Sequence, residues 1–428
     1  MITEQPVRHP PGAAQQPAGQ QPDRKPQRQG WRIVGITLLV LSLLLTLSSI
    51  ADIVVLTRAP APAPHSRPQT TIHPQQSSPT AAPSPTVAAT PTPNTAQLTS
   101  QVDTLFTNRV SGHQFSGSVL IAQNGQVLFS KGYSMASWDN NTPNTPHTRF
   151  HIGSLTKQFT ASAIMILQER GKLHVHDPLC NYLPYCPTAW HSLTIHHLLD
   201  HTSGIPQLDD ARVSIASPTA FIASYRGVPL AFTPGSQYSY CSVCFQILGI
   251  VVEQASGQAY STFIQQTILT PLHMDSSGFF ANYSSMPDHS VGYASWQLKA
   301  VDLGWSVAPN MSFLFASGLL VTTVEDLYRW DQGLYAHTVI SQQSLDQMYT
   351  PYVDSEFPTS SYGYGWFIAK PSTPHYPYFW HYGSIDGFRA YIGRYPTNKI
   401  TIIILSNLAA QDIVAFAGTV EQKVFANL

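Results

Sequence analysis

Charge is scarce in this chain and nearly balanced, with 22 Lys and Arg against 23 Asp and Glu in 428 residues and a formal net charge of −1. From Gln97 onward no basic run occurs, so nothing offers a nucleic acid the stripe of positive charge it needs. Cysteine is rarer still, four residues in all: Cys180, Cys186, Cys241 and Cys244. Their uneven spacing argues against a single four-thiolate zinc site, and no cofactor is implied. Residues 1–32 have too few apolar side chains to offset the entropy of folding, and their Gln, Pro and Gly content reads as a disordered tail.

One long apolar run stands out against this background. It extends from Ile33 to Ala51 and resumes from Ile53 to Leu56 after Asp52, which matches the roughly 20 residues a helix needs to cross a bilayer. Arg8, Arg24, Lys25, Arg28 and Arg32 precede it, so the positive-inside bias leaves the N-terminus cytoplasmic and the remainder outside. The reading is a retained anchor over 33–56. The alternative is a cleaved signal peptide, since Ser49 and Ala51 are small residues in a cleavage-like context. Residues 57–96 are mostly Pro, Ala, Thr, Ser and Gln, a composition that favours polyproline II at about 3.1 Å per residue and a stalk of roughly 100 Å. Residues 97–428 are long enough to bury a large core. Outside the cytoplasm the cysteines are expected in disulfides. Cys180–Cys186 closes a short Pro-containing loop, while Cys241 and Cys244 are free to pair, stay reduced or join the first two.

Within this last part, Leu98, Val102, Leu105 and Phe106 have helical spacing. Ser116 to Gly132 reads as a hairpin turning at Asn124-Gly125. Helices are expected from Ser154 to Glu169, from Thr194 to His201 and from Phe245 to Gln254. Strands return at Tyr364–Ala369, Ala390–Tyr395 and Ile400–Leu405, and Ile413–Leu428 closes the chain as a helix. Strands at both ends around a helical middle predict one α/β unit, its sheet assembled from distant segments with a mainly helical insertion.

The chemistry-bearing pattern begins at Gly153-Ser154-Leu155-Thr156-Lys157. If Ser154 opens a helix, Lys157 lies one turn along on the same face, so ammonium and hydroxyl converge. A bare Ser-x-x-Lys is a weak signal, equally compatible with a capped helix carrying a surface lysine. Further elements follow in order: Leu198-Leu199-Asp200-His201-Thr202-Ser203-Gly204, Phe232-Thr233-Pro234-Gly235, Ser317-Gly318-Leu319, Glu325-Asp326-Leu327, His381-Tyr382-Gly383 and Leu405-Ser406-Asn407. With them the chain resembles the serine β-lactamase-like family of class C β-lactamases, DD-peptidases and esterases, over about Gln97 to Leu428.

The resemblance implies a class C β-lactamase-like fold, an antiparallel sheet flanked by N- and C-terminal helices. It also implies an acyl-serine mechanism with Ser154 as nucleophile, Lys157 beside it and Tyr240 in the family's Tyr-x-Asn slot. Ser242 replaces the Asn of that slot, a departure that weakens recognition of amide side chains, because a hydroxyl is shorter and offers one donor. His381 and Gly383 occupy the slot where many relatives carry Lys-Thr-Gly. An imidazolium at His381 would there hold a substrate carboxylate. The backbone N–H groups of Ser154 and Ser384 are expected to form the oxyanion hole. To act as base near neutral pH, Tyr240 would need roughly 4 kcal/mol of help relative to a free phenol of pKa about 10. One ammonium at about 4 Å supplies about 4 kcal/mol at an effective dielectric of about 20. Either Tyr240 or a neutral Lys157 therefore qualifies as base. His196, His197, Asp200 and His201 have metal-ligand spacing, but the family motif makes them structural.

The expected function is that of a membrane-anchored extracytoplasmic serine hydrolase acting on an ester, peptide-like or β-lactam substrate, small or derived from peptidoglycan. The alternatives are a penicillin-binding sensor, for which residues 1–32 are too short an output module, and a non-catalytic binding ectodomain. Substrate choice is expected to rest on the loops Gln207–Leu230 and Phe279–Phe315.

Overall fold

The β1 strand (Gly117–Gln123) and β2 (Gln126–Tyr133) form the expected hairpin, with Asn124 and Gly125 both at positive φ (52° and 77°) in its turn. The structure, a computed structural model, describes residues 93–428 apart from 210–211, 280–282, 298 and 302–308. The tail, the apolar run at 33–56 and nearly all of the linker lie outside the described residues. Among those described, no helix is long and apolar enough to cross a membrane.

Short strands β3 (Met135–Ser137), β4 (Thr142–Pro143) and β5 (Phe150–His151) lead into the middle of the chain, where β6 (Val321–Thr322) pairs with β5. The C-terminal third supplies β7 (Val353–Asp354), β8 (Ser360–Tyr362), β9 (Phe367–Ala369), β10 (Phe379–Ile385), β11 (Phe388–Tyr395) and β12 (Ile400–Ser406). Together with the hairpin they make one eight-stranded antiparallel sheet, in the order β2-β1-β12-β11-β10-β9-β8-β7. The two ends of the domain meet where β1 pairs with β12, Gly117 opposite Ser406 and Gln123 opposite Ile400.

β1 and β12 carry unbroken apolar runs, Val119–Ala122 and Ile402–Leu405, because both of their faces are covered. Val119, Ile121, Ile402 and Ile404 face one core, which contains Leu98, Val102 and Phe106 of α1 (Pro93–Ser111) and Phe416, Val420 and Val424 of α9 (Ile413–Phe425). Their neighbours Leu120, Ala122, Ile403 and Leu405 face the other core. That second core is built by α2 (Thr156–Glu169), α3 (Ile195–Leu199), α4 (Pro218–Ala223), α5 (Ser242–Ser256), α6 (Tyr260–Ile264), α7 (Val324–Tyr335) and α8 (Gln342–Met348). Thr194 caps α3 together with His197, and Thr323 caps α7 by accepting from Asp326 N–H. This is the β-lactamase-like arrangement of antiparallel sheet and helices.

Several boundaries differ from the sequence reading, three of them for identifiable local reasons. Helix α1 begins at Pro93, inside the segment assigned to the linker, with proline at the first helical position where its missing N–H costs nothing. The strand expected from Tyr364 starts only at Phe367, because Gly365 takes a φ of +75° and lies against the Lys157 carbonyl. The α-helix expected from Ser154 starts at Thr156, and Ser154 lies instead on a 3-10 turn, Gly153–Leu155. Both cysteine pairs are local disulfides, Cys180–Cys186 and Cys241–Cys244, each with Cα atoms 5.3 Å apart.

Candidate active site

The 3-10 turn carrying Ser154 is pressed against strand β10, and two glycines make that approach possible. A side chain on Gly383 would meet the Ile152 carbonyl at 1.9 Å, and one on Gly153, which sits at φ +52°, would meet Ser384 N at 2.8 Å. The backbone of Ser384 is thereby brought beside the Ser154 turn. The serine keeps some solvent access, while Lys157 one turn on is fully buried.

Lys157 Nζ lies 3.1 Å from Ser154 Oγ and donates to the Ser317 backbone carbonyl at 2.8 Å. It also stands over the rings of Tyr240 and Phe245, at 4.9 and 5.5 Å from their centres. Among the described residues no carboxylate pairs with this cation, and burial pulls the ammonium down to about 7. Tyr240 is placed just ahead of α5, with its hydroxyl close to the Ser154 side chain. Burial pushes its phenol above the ordinary tyrosine range. Ser154, Lys157 and Tyr240 are thus brought into one contact group from positions 154 to 240.

His381 has a different character from that expected. It is fully buried, with Nδ1 2.6 Å from the Tyr382 carbonyl and Nε2 3.0 Å from the Tyr362 hydroxyl. A carbonyl only accepts, so Nδ1 carries the proton and Nε2 accepts from Tyr362. Burial, reinforced by nearby Lys157, pulls the imidazole down to about 3. The expected carboxylate-reading imidazolium is corrected to a neutral ring with both nitrogens occupied. Ser242 opens α5 two residues past Tyr240. Lys157 directs its hydrogen bonds to Ser154 and Ser317.

Sequence reasoning gave no role to Ser317, Phe245 or Tyr362, whose contributions are a main-chain oxygen, an apolar ring face and a hydroxyl aimed at His381. Ser317 stands in a motif element, but its contact through the main chain, like the contacts of Phe245 and Tyr362, leaves no signature in residue spacing. His196, His197 and Asp200 are engaged within the protein. His196 contacts Tyr364 Oη at 2.7 Å and Asp200 at 3.3 Å, and the His197 ring accepts from Thr194 N–H. Beside Ser384 opens a cavity of about 440 Å³ whose lining includes Phe357, Tyr382, Arg389, Gln411 and Ile413. The amide atoms of Gln411 are buried there without a protein partner.

The family model for β-lactamases matches residues 102–418. The chain belongs to the β-lactamase family. Among family members, PbpX of Bacillus subtilis (strain 168) is 30% identical over 311 residues, covering 73% of this chain and 74% of that protein. Penicillin-binding protein 4* of the same organism is 28% identical over 324 residues, covering 72% and 71%. Among solved structures, the octameric penicillin-binding protein homologue from Pyrococcus abyssi aligns with a TM-score of 0.65 at 28% identity, over 72% of this chain and 73% of that one. A class C β-lactamase aligns with a TM-score of 0.68 over 78% and 97%, and at 21% identity it speaks for the β-lactamase fold alone.

Proposed function

We propose that this protein is a serine acyl hydrolase in which Ser154 is the nucleophile and neutral Lys157 the base. The observation that carries this reading is the buried, uncompensated Lys157 amine 3.1 Å from Ser154 Oγ, with a pKa pulled to about 7. Of the two candidate bases, burial moves Lys157 toward neutral pH and Tyr240 away from it. As Ser154 Oγ bonds to the substrate carbonyl carbon, its proton passes to Lys157 Nζ. The oxygen that becomes negative is received by the N–H groups of Ser154 and Ser384, donors worth roughly 3–4 kcal/mol each. The bond to the leaving group then breaks. That group must take up the proton, and the Tyr240 hydroxyl, touching the same serine, passes it on. Water attacks the acyl-Ser154 ester in the reverse sense and frees the acid.

The cavity beside Ser384 supports a substrate with an apolar body and a polar end, and Ser242 in the amide-reading slot supports esters over β-lactams. The penicillin-binding names of the relatives add peptidoglycan-type substrates to the candidates. We further propose that residues 33–56 anchor the chain in the membrane and that 57–92, up to the start of α1, are a stalk holding the catalytic unit outside the cytoplasm. The apolar run supports this, as do the basic residues before it and the two disulfides, bonds that persist in oxidising compartments.

A fluorophosphonate probe followed by intact-mass spectrometry tests the chemistry. One adduct on the wild type and none on Ser154→Ala is expected. Labelling that survives the substitution would remove Ser154 from the role.

A further inference from the structure

His201 follows α3 and is fully buried, with a φ of +63°, in the left-handed region that few residues other than glycine, Asn, Asp and His enter. Two hydrogen bonds run to it from the segment carrying Tyr240. The Ser239 N–H donates to the His201 carbonyl at 2.9 Å, and the Cys241 N–H donates to His201 Nδ1 at 3.0 Å. Tyr240 thus lies between two residues tied to a single histidine. The His201 ring also packs on the Tyr240 ring, centres 4.4 Å apart and planes 36° apart. Because Nδ1 accepts, the ring proton is on Nε2, which has no partner among the described residues. Burial keeps the ring neutral, so Nδ1 stays an acceptor.

We propose that His201 is the positioning residue for Tyr240, holding Ser239 on its carbonyl and Cys241 on Nδ1 so that the phenol reaches Ser154. This rests on the serine-hydrolase reading and on Tyr240 passing the leaving-group proton. The left-handed backbone is part of the device, since it turns the carbonyl and the side chain of one residue toward the same strand of chain.

The substitutions that separate this from a packing role are set by geometry. The amide oxygen of Asn lies where Nδ1 does and Asn tolerates the left-handed region, so His201→Asn keeps both contacts. His201→Gln moves its oxygen out to the place of Nε2, and His201→Ala has no acceptor. The experiment uses the full-length chain and two probes, p-nitrophenyl butyrate, whose leaving group departs without a proton, and ethyl butyrate, whose leaving group needs one. Active sites are counted with the fluorophosphonate, and each variant is also made on Tyr240→Phe.

The expected result is a loss of about 10²-fold on ethyl butyrate in His201→Ala and His201→Gln, with a much smaller loss on p-nitrophenyl butyrate. His201→Asn should stay close to wild type, and none of the three should cost much more once Tyr240 is Phe. Equal losses on both esters, a loss in His201→Asn matching that in His201→Ala, or an undiminished loss on Tyr240→Phe overturns the inference while leaving the hydrolase reading intact. A wild type that takes no label overturns the hydrolase reading, and the inference with it.

Discussion

Lys157 Nζ stands 4.9 Å over the centre of the Tyr240 ring, while the hydroxyl of that ring contacts Ser154. The amine therefore faces the π-surface of the phenol and the oxygen of the serine. The arrangement supports the proposed division of tasks between Lys157 and Tyr240 around Ser154.

Removing the amine should abolish acylation and strengthen the fold. A buried cation without a carboxylate is costly, and an apolar side chain of similar volume removes that cost. Lys157→Met is expected to lose at least about 10²-fold in acylation rate. Its melting temperature should rise, as measured by calorimetry at pH 7.

The pH–rate profile should carry one limb near pH 7. Below that value Lys157 is an ammonium and cannot accept the serine proton, so kcat/KM for p-nitrophenyl butyrate should rise through about pH 7 and then level. Stability follows the same group. Between about 7 and the ordinary lysine value near 10.5 the unfolded chain binds a proton that the folded chain does not, so the Lys157 contribution to stability increases with pH over that window. In Lys157→Met this part of the stability slope should vanish.

A neutral His381 makes the rate profile independent of whether the substrate carries a carboxylate. Esters with and without one should share the same limb, and divergent midpoints would restore a charge to His381. Placing a permanent cation there should fail structurally. His381→Lys would bury a second ammonium near the first, at an expected loss of about 3–5 kcal/mol in denaturant unfolding.

Gly383→Ala tests the contact between β10 and the nucleophile turn. Its methyl group would lie 1.9 Å from the Ile152 carbonyl, so the two backbones must separate and the Ser384 N–H must leave its place beside Ser154. A fall of about 10²-fold in acylation is expected, the size of losing one oxyanion donor. Retained activity would move the oxyanion site elsewhere.

Substrate preference should respond to position 242. Wild type is expected to hydrolyse short-chain esters faster than nitrocefin, and Ser242→Asn to shift the ratio toward the β-lactam. A wild type that already prefers nitrocefin would show that a hydroxyl suffices in that slot.

Much of this architecture was legible in the sequence, for definite reasons. The apolar runs Val119–Ala122 and Ile402–Leu405 announced strands, and Asn124-Gly125 announced the turn between β1 and β2. Ser154, Lys157 and Tyr240 could be picked out because motif spacing survives in one dimension. The state of His381 could not be read, because it is set by Tyr362 on another strand and by the Tyr382 carbonyl. Nor could the partner of Lys157, a main-chain oxygen 160 residues away. The 3-10 turn at Ser154 was hidden for a related reason, since the positive φ of Gly153 answers to the close approach of β10 rather than to local propensity.

The pairing of β1 with β12 has a consequence for how the domain comes to exist. Gly117 finds its partner Ser406 only after nearly the whole intervening chain has been made. Until then the apolar edge of β1 is open on the side β12 will occupy, a template for pairing with another chain. Contacts of such long sequence separation also form slowly. A chain ending before Ile400 would leave that edge bare for good. Assembly of the sheet, with the helical insertion suspended between its two ends, is therefore governed by β12, the last of its strands to emerge.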